Sequence, residues 1–225
     1  MFHVTASCQQ LGLRAGAILH REVTIEPASN DLRAQIDAAA EAIRQQYQSR
    51  SEIRQLPAIV QLHQILREVG VKPRRHPPSN QKLLEYALKH GTLPAINNLV
   101  DAYNLVSLKT LCSLGAHDVG QISSPVELRI LTGEETFTPL GSPEPQAVVA
   151  GEFGYVDARG RLLCRLDSLQ ADFSKVGETA SEVVVIVEST IATPAPERQA
   201  ALELVREVIQ EHCGGTAEVV SAALD

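Results

Sequence analysis

The chain has 225 residues, 44% of them hydrophobic and 21% charged, enough to enclose an apolar core without disulfide or metal staples. A net charge of −7, an aromatic content of only 4% and the lack of any Trp speak against a general single-strand binder built on stacked aromatic rings. No stretch of about 18 apolar residues occurs, and the opening MFHVTASCQQ has neither the basic nor the apolar region of a secretory leader, so no membrane association is expected.

FHVTASCQQLGLRAGAILHREVTI predicts two short strands broken near Gly12 and Gly16. Ser29 or Asn30 then caps a helix whose Leu32, Ile36, Ala39, Ala40, Ile43 and Tyr47 repeat at three or four. SEIRQLPAIVQLHQILREVG reads as a second helix, with Pro57 in its first turn and Gly70 at its stop. VKPRRHPPSN carries three prolines and is expected to be an extended, stiff loop bearing Lys72, Arg74, Arg75 and His76. Ser79 is expected to cap the next helix, which Gly91 ends.

After Pro94 comes NNLVDAYNLVSLKTLCSLGAHD, apolar on most sides and therefore expected to be a helix sandwiched between layers, with His117 and Asp118 following its end. From about Gln121 the apolar period becomes two. VELRILTGEETFTPLG predicts two strands around residues 132–135. QAVVAGEFGYVDARGRLLCRLD predicts a hairpin turning at residues 158–160, and SEVVVIVEST predicts a buried strand. An amphipathic helix then runs from Thr193-Pro194 to Gly214, and AEVVSAAL suits a last strand. The order of elements predicts an α+β fold, and without a polar linker one domain over residues 1–225 is expected.

Charge is unevenly placed. Between Arg44 and His90 nine Lys or Arg face three acids, a net +6, and the remainder is −13. Such a segment is either an anion-facing patch or a set of solvated helix faces. The four cysteines lie far apart with no C-x-x-C pair, which indicates no zinc or redox site and fits a reducing, cytoplasmic location. No phosphate-binding glycine loop, dinucleotide fingerprint, serine-hydrolase elbow or H-E-x-x-H is present, so no cofactor and no metal are expected.

Asn97, Asp101 and Asn104 fall on one helical stripe. Either these groups bind loop backbone and lock layers together, or they line a small-ligand cavity in which Asp101 neutralises an ammonium. Arg165 and Asp172 suit an ion pair, or a fork-shaped clamp on an anion with Asp172 reading a side chain. His117 suits a helix-end cap or a general base acting on water.

NNLVDAYNLVSL, GEFGYVDARGRLLCRLD and DFSKVGETASEVVVIVES together resemble, in order and spacing, the B3/B4 domain of the phenylalanyl-tRNA synthetase beta subunit. PRRHPPSNQKLLEYALKHGTLPAINNLVD is similar to free-standing relatives of that domain. The resemblance is clearest over residues 50–190. It implies a three-layer α/β/β sandwich and a theme of tRNA or aminoacyl-tRNA binding, with editing hydrolysis of mischarged tRNA in trans. It implies no aminoacylation site. Asp101, Asn104 and Asp118 match the family pattern, whereas the editing histidine falls at Gly115 and the pocket glutamate near Asp172. The resulting expectation is an interlayer hollow lined by Asp101, Asn104, Arg165 and Asp172, with Lys72, Arg74, Arg75 and His76 on RNA phosphates. A non-catalytic binder of an amino acid or small metabolite is the alternative.

Overall fold

Val183, Val184, Val185, Ile186 and Val187 are all buried, so the strand that carries them must be covered on both faces. This strand, β8 (Glu182–Thr190), pairs antiparallel with β2 (Leu13–Arg21) and with β3 (Ser113–Asp118). With β9 (Thr216–Ser221) beyond β2, the sheet order is β3-β8-β2-β9. The computed structural model describes residues 2–221, so the end of the expected last strand, residues 222–224, lies outside the described residues.

The residues of β8 alternate between two cores. Val183, Val185 and Val187 join Ile18 and Ala116 against a helix layer made by α2 (Asn30–Gln46), α5 (Ser79–His90), α6 (Asn98–Thr110) and α7 (Ala195–Cys213). Val184 and Ile186 join Leu13, Ala15 and Ala17 against a second sheet. That sheet has the order β1-β4-β5-β6-β7. Its strands are β1 (Phe2–Val4), β4 (Val126–Ile130), β5 (Phe153–Val156), β6 (Leu162–Arg165) and β7 (Leu169–Gln170), with β1 parallel to β4. Leu62, Ile65 and Leu66 of α4 (Pro57–Glu68) close the same core. The molecule is thus α+β in three layers, helices on one sheet and that sheet on another. Each fully buried aliphatic side chain contributes roughly 1.5–3 kcal/mol.

Several local expectations are corrected. Strand β2 runs unbroken through Gly16, because a Cβ there would lie 2.8 Å from Leu202 Cδ1 of α7. The glycine lets the helix approach the sheet. A short helix α1 (Ala6–Gln10) separates β1 from β2. Pro57 lies in the first turn of α4 as expected, but the residues before it do not belong to that helix: α3 (Arg50–Ile53) is a separate turn capped by Ser49. Ser79 does not cap α5: Pro78 holds that position, and the buried Ser79 hydroxyl has no hydrogen-bond partner. Lys72 O accepts from both Arg75 N and His76 N at 2.9 and 3.3 Å, so the proline-rich segment is a tight turn and not extended. Past β4, residues 132–140 make only the isolated bridges at Thr136 and Pro139 instead of a second strand. The hairpin at residues 158–160 and the helix ending at Gly214 form as expected.

The polar-striped helix ends early. Leu111 adopts a left-handed conformation (φ 62°) and closes α6. Residues 113–118 are then strand β3, so His117 is a strand residue and not a helix-end cap.

The polar stripe of α6 pins the helix layer. Asn97 caps the helix by accepting from Val100 N at 2.8 Å. Asn98, buried one position later, donates to Thr24 O (2.8 Å) and His212 O (3.0 Å) and accepts from Glu26 N (3.0 Å). Asp101 accepts from Ile96 N (3.1 Å) and pairs with Arg33 of α2 at 3.0 Å. Asn98→Ala strands two carbonyls and one N–H and is expected to cost about 3 kcal/mol in urea denaturation. Asn97→Ala, which removes only a cap, is expected to cost about 1 kcal/mol. Equal losses for the two would refute this division of labour.

Candidate functional site

The turn after α4 and the outer flank of α5 enclose a cleft of about 1080 Å³. Four exposed cations on its wall, Arg67, Lys72, Arg74 and Arg75, make no ion pair among the described residues. The basic residues nearby are different. Arg54 is bound to Glu85 at 2.7 Å, and Arg50 lies 3.8 Å from the same carboxylate. A polar chain floors the cleft: His63 Nε2 meets Gln81 Oε1 at 2.7 Å, and Gln81 Nε2 donates to Glu85 at 2.8 Å. Of the four basic residues singled out in the sequence, three line this cleft, while half-buried His76 does not.

The other flank of α5 lines a second cleft of about 270 Å³ with Asn104 and Ser107 of α6. Leu83, Tyr86, Pro94 and Leu114 make it largely apolar, and Ser79 and Lys82 bring polar groups to its edge. Leu114 also borders a third, partly open cavity of about 30 Å³, which lies between the two sheets. That volume is the share of one water molecule in the liquid.

The small cavity is built by alternation. Glu188 continues the even-numbered series of β8, so its carboxylate enters the intersheet layer. Ser113 stands directly opposite Glu188 in the β3 pairing, and Gly115 and His117 follow at every second position. Tyr155 of β5 and Cys164 of β6, cross-strand partners, complete the wall with Asp167. The Tyr155 hydroxyl donates to Glu188 Oε2. Asp167 Oδ2 accepts from the Ser113 hydroxyl at 2.9 Å and from Ser79 N, the first residue of α5, at 3.3 Å.

Among the described residues, four buried oxygens in this region have no hydrogen-bond partner: Ser79 Oγ, Asp167 Oδ1, Ser168 Oγ and Glu188 Oε1. Buried polar atoms are nearly always paired, so a concentration of unpaired ones marks a place built to hold something polar. Lys82 Nζ, bound to Ser168 O at 3.2 Å, is the cation that touches this group.

Removal from water pushes both carboxyls up, Asp167 to about 7 and Glu188 to about 8. The Asp167 charge raises Glu188 further, while the Tyr155 hydroxyl opposes that rise. Hydrogen bonds from Ser113 and Ser79 and the Lys82 charge restrain Asp167. Burial acts oppositely on His117 and pushes it down to about 4. The imidazole is therefore neutral at physiological pH, with Nδ1 2.9 Å from Ser174 Oγ.

The remaining residues singled out in the sequence do not gather at the cavity. Asp101 is neutralised by Arg33, and Asn97 is a helix cap. Arg165 is clamped by Glu152 at 2.5 and 2.9 Å, and Asp172 binds Lys175 at 2.9 Å, so the expected Arg165–Asp172 pair does not form. Asn104 alone of the expected interlayer lining reaches a cleft. Sequence reading passed over Asp167, Glu188 and Tyr155. A lone carboxylate inside the apolar run VVVIVEST was the available signal for Glu188, since a buried acid needs a reason.

The acid pair leaves a signature in stability. Folded-state pKa values above the unfolded ones mean that the fold holds protons the unfolded chain sheds. That contribution is complete below about pH 4 and is lost as pH rises through 7 and 8. His20 and His117, both pushed down to about 4, cost stability below pH 6.5 and change little above it. From pH 6.5 to 8 the chain is expected to lose stability in urea. Glu188→Gln, which keeps an acceptor for Tyr155, is expected to reduce that slope by up to ~1.4 kcal/mol per pH unit. Parallel pH profiles for the two proteins would show that Glu188 holds no extra proton.

The B3/4 domain family model matches residues 61–214. Among solved structures, the chain is similar to an N-terminal fragment of the phenylalanyl-tRNA synthetase beta-subunit from Pyrococcus horikoshii. The identity is 11% and the TM-score 0.49, over 96% of this chain and 50% of that one. The chain therefore spans about half the length of that structure. No curated protein matches the sequence, and no helix among the described residues is long and apolar enough to cross a membrane. With the family match extending over most of the three-layer fold, the chain belongs to the B3/4 domain family.

Proposed function

We propose that the chain binds tRNA, with phosphates in the basic cleft and the aminoacyl end beside the acid pair. One observation carries this reading: α5 joins the two regions. Its outer flank borders the unneutralised Arg67, Lys72, Arg74 and Arg75, and its first N–H rests on Asp167. Unpaired Arg and Lys in a concave wall suit a phosphate backbone. Buried Glu188 and half-buried Asp167, each with an oxygen unpaired among the described residues, suit the ammonium of an aminoacyl ester, which would displace their protons. The 270 Å³ cleft by Asn104 takes an apolar amino-acid side chain. Four free thiols support a reducing compartment such as the cytoplasm.

A second reading, hydrolysis of the ester in trans, is favoured by the pKa values of the pair. Burial raises both carboxyls toward neutrality, where a carboxyl can pass a proton to and from a water in the cavity that both line. In this reading Asp167 and Glu188 handle the proton. Neutral His117 orients the wall, and Asp172 has no role.

Binding to tRNA is expected to weaken steeply with salt. Arg74→Glu with Arg75→Glu is expected to weaken it at least about tenfold and to flatten the salt slope by about one unit for each phosphate no longer neutralised. Affinity that stays level from low to moderate salt would remove the tRNA reading. If the double variant still binds a free amino acid as the parent does, the small-metabolite reading replaces it. For hydrolysis, tRNA carrying labelled mismatched amino acids is incubated with micromolar protein. Release is expected to fall at least about a hundredfold in Glu188→Gln. No release above buffer across the panel would leave binding alone.

A further inference from the structure

We propose that Asp31, Glu211 and His212 form a binding site for a divalent transition-metal ion of the zinc class, tying the start of α2 to the end of α7. One ligand atom from each residue lies within 4.8 Å of the others, and none of the three residues lines the intersheet cavity. An exposed pair of acids alone would mean nothing. The second observation is the imidazole. The His212 side chain is only 7% exposed, yet its buried Nε2 has no hydrogen-bond partner among the described residues and lies 3.9 Å from Glu211 Oε1. A buried imidazole nitrogen with no hydrogen-bond partner among the described residues, facing one carboxylate and grouped with a second, has the make-up of a cation ligand set.

The supports of the three groups fit this role. Asn98 Nδ2 holds the His212 carbonyl at 3.0 Å, which fixes the backbone from which the imidazole projects. Gln35 Nε2 donates to Asp31 Oδ2 at 2.9 Å and orients that carboxylate, leaving Oδ1 for a metal. The last turn of α7 presents the negative end of its dipole, which favours a cation. Zinc bonds to nitrogen and oxygen of about 2.0–2.2 Å place neighbouring ligand atoms about 3.5 Å apart. Glu211, whose side chain is 60% exposed, has room to rotate and close its 3.9 Å separation from the imidazole toward that value. One imidazole and two carboxylates give three protein ligands and an open position, a set that prefers zinc, cobalt or manganese to magnesium.

Isothermal titration of the full chain with Zn²⁺ is expected to show one site per chain, unaffected by millimolar Mg²⁺, and a thermal midpoint that rises on binding. Asp31→Asn changes an exposed side chain, so the fold persists; its Kd is expected to rise at least about tenfold. His212→Gln is expected to abolish saturable binding. Cys213→Ser is expected to bind as the parent does, because the Cys213 side chain is buried in the helix core and is not one of the three grouped residues. The proposal is overturned if the parent shows no binding at millimolar Zn²⁺. It is equally overturned if Asp31→Asn binds unchanged, or if Cys213→Ser is the variant that loses the metal.

Discussion

Strand β8 is covered on both faces, and the rest of the molecule is registered against it. Its backbone groups pair with β2 and β3, so its side chains have only two directions available. Val183, Val185 and Val187 enter the helix core and Val184 and Ile186 the intersheet core. A slip of one residue would exchange the two sets. It would also move Glu188 from the intersheet layer to the helix layer, away from Tyr155 and Asp167. The interaction that builds the core therefore also places the carboxylate, and the acid pair cannot be shifted without dismantling both cores.

Keeping two carboxyls in that layer is costly, and the surroundings show how the cost is limited. Protonation removes the charge that burial penalises, and hydrogen bonds from Tyr155, Ser113 and the start of α5 satisfy part of what remains. They satisfy only part, since one oxygen of each carboxyl stays unpaired. A purely structural polar contact has no use for that remainder. By contrast, the buried groups of α6 are fully engaged. Asn98 closes three backbone gaps, and Asp101 is matched by Arg33, which also donates to Leu93 O at 2.5 Å.

The difference between engaged and unengaged groups was not legible in the chain. Periodicity of 3.6 and of 2 located α2, α4 to α7, the hairpin of β5 and β6, and β8, because those patterns reflect one-sided or two-sided burial directly. The stripe of Asn97, Asp101 and Asn104 was visible, but their partners lie elsewhere in the sequence, Arg33 among them. The end of α6 was hidden because Leu111 makes the left-handed stop where a glycine would have signalled it. Asp167 was obscured in a similar way. Leu166 and Asp167 both have positive φ, 57° and 63°, and this turn after β6 sends the carboxyl under α5 while Arg165 goes to Glu152. Leucine does not advertise such a backbone, and aspartate, though enriched there, signals it far less clearly than glycine.

Helix α5 is where the outer and inner electrostatics meet. Asn80 Nδ2 donates to Leu111 O at 2.7 Å, so the start of α5 is fastened to the end of α6 and inherits the rigidity of the pinned helix layer. From that anchor the helix points its first N–H at Asp167 and its Lys82 at Ser168. The turn that precedes it holds Lys72, Arg74 and Arg75 out in the cleft. Much of the +6 segment is already neutralised or distant, with Arg50 and Arg54 on Glu85. The cations without an ion-pair partner among the described residues, Arg67, Lys72, Arg74 and Arg75, stand together on the wall of the larger cleft. Lys82 is the one basic side chain that borders the 270 Å³ cleft and also lowers the pKa of a buried carboxyl. The surface cleft and the interior carboxyl thus share one ammonium group, whose charge holds Asp167 below where burial alone would put it.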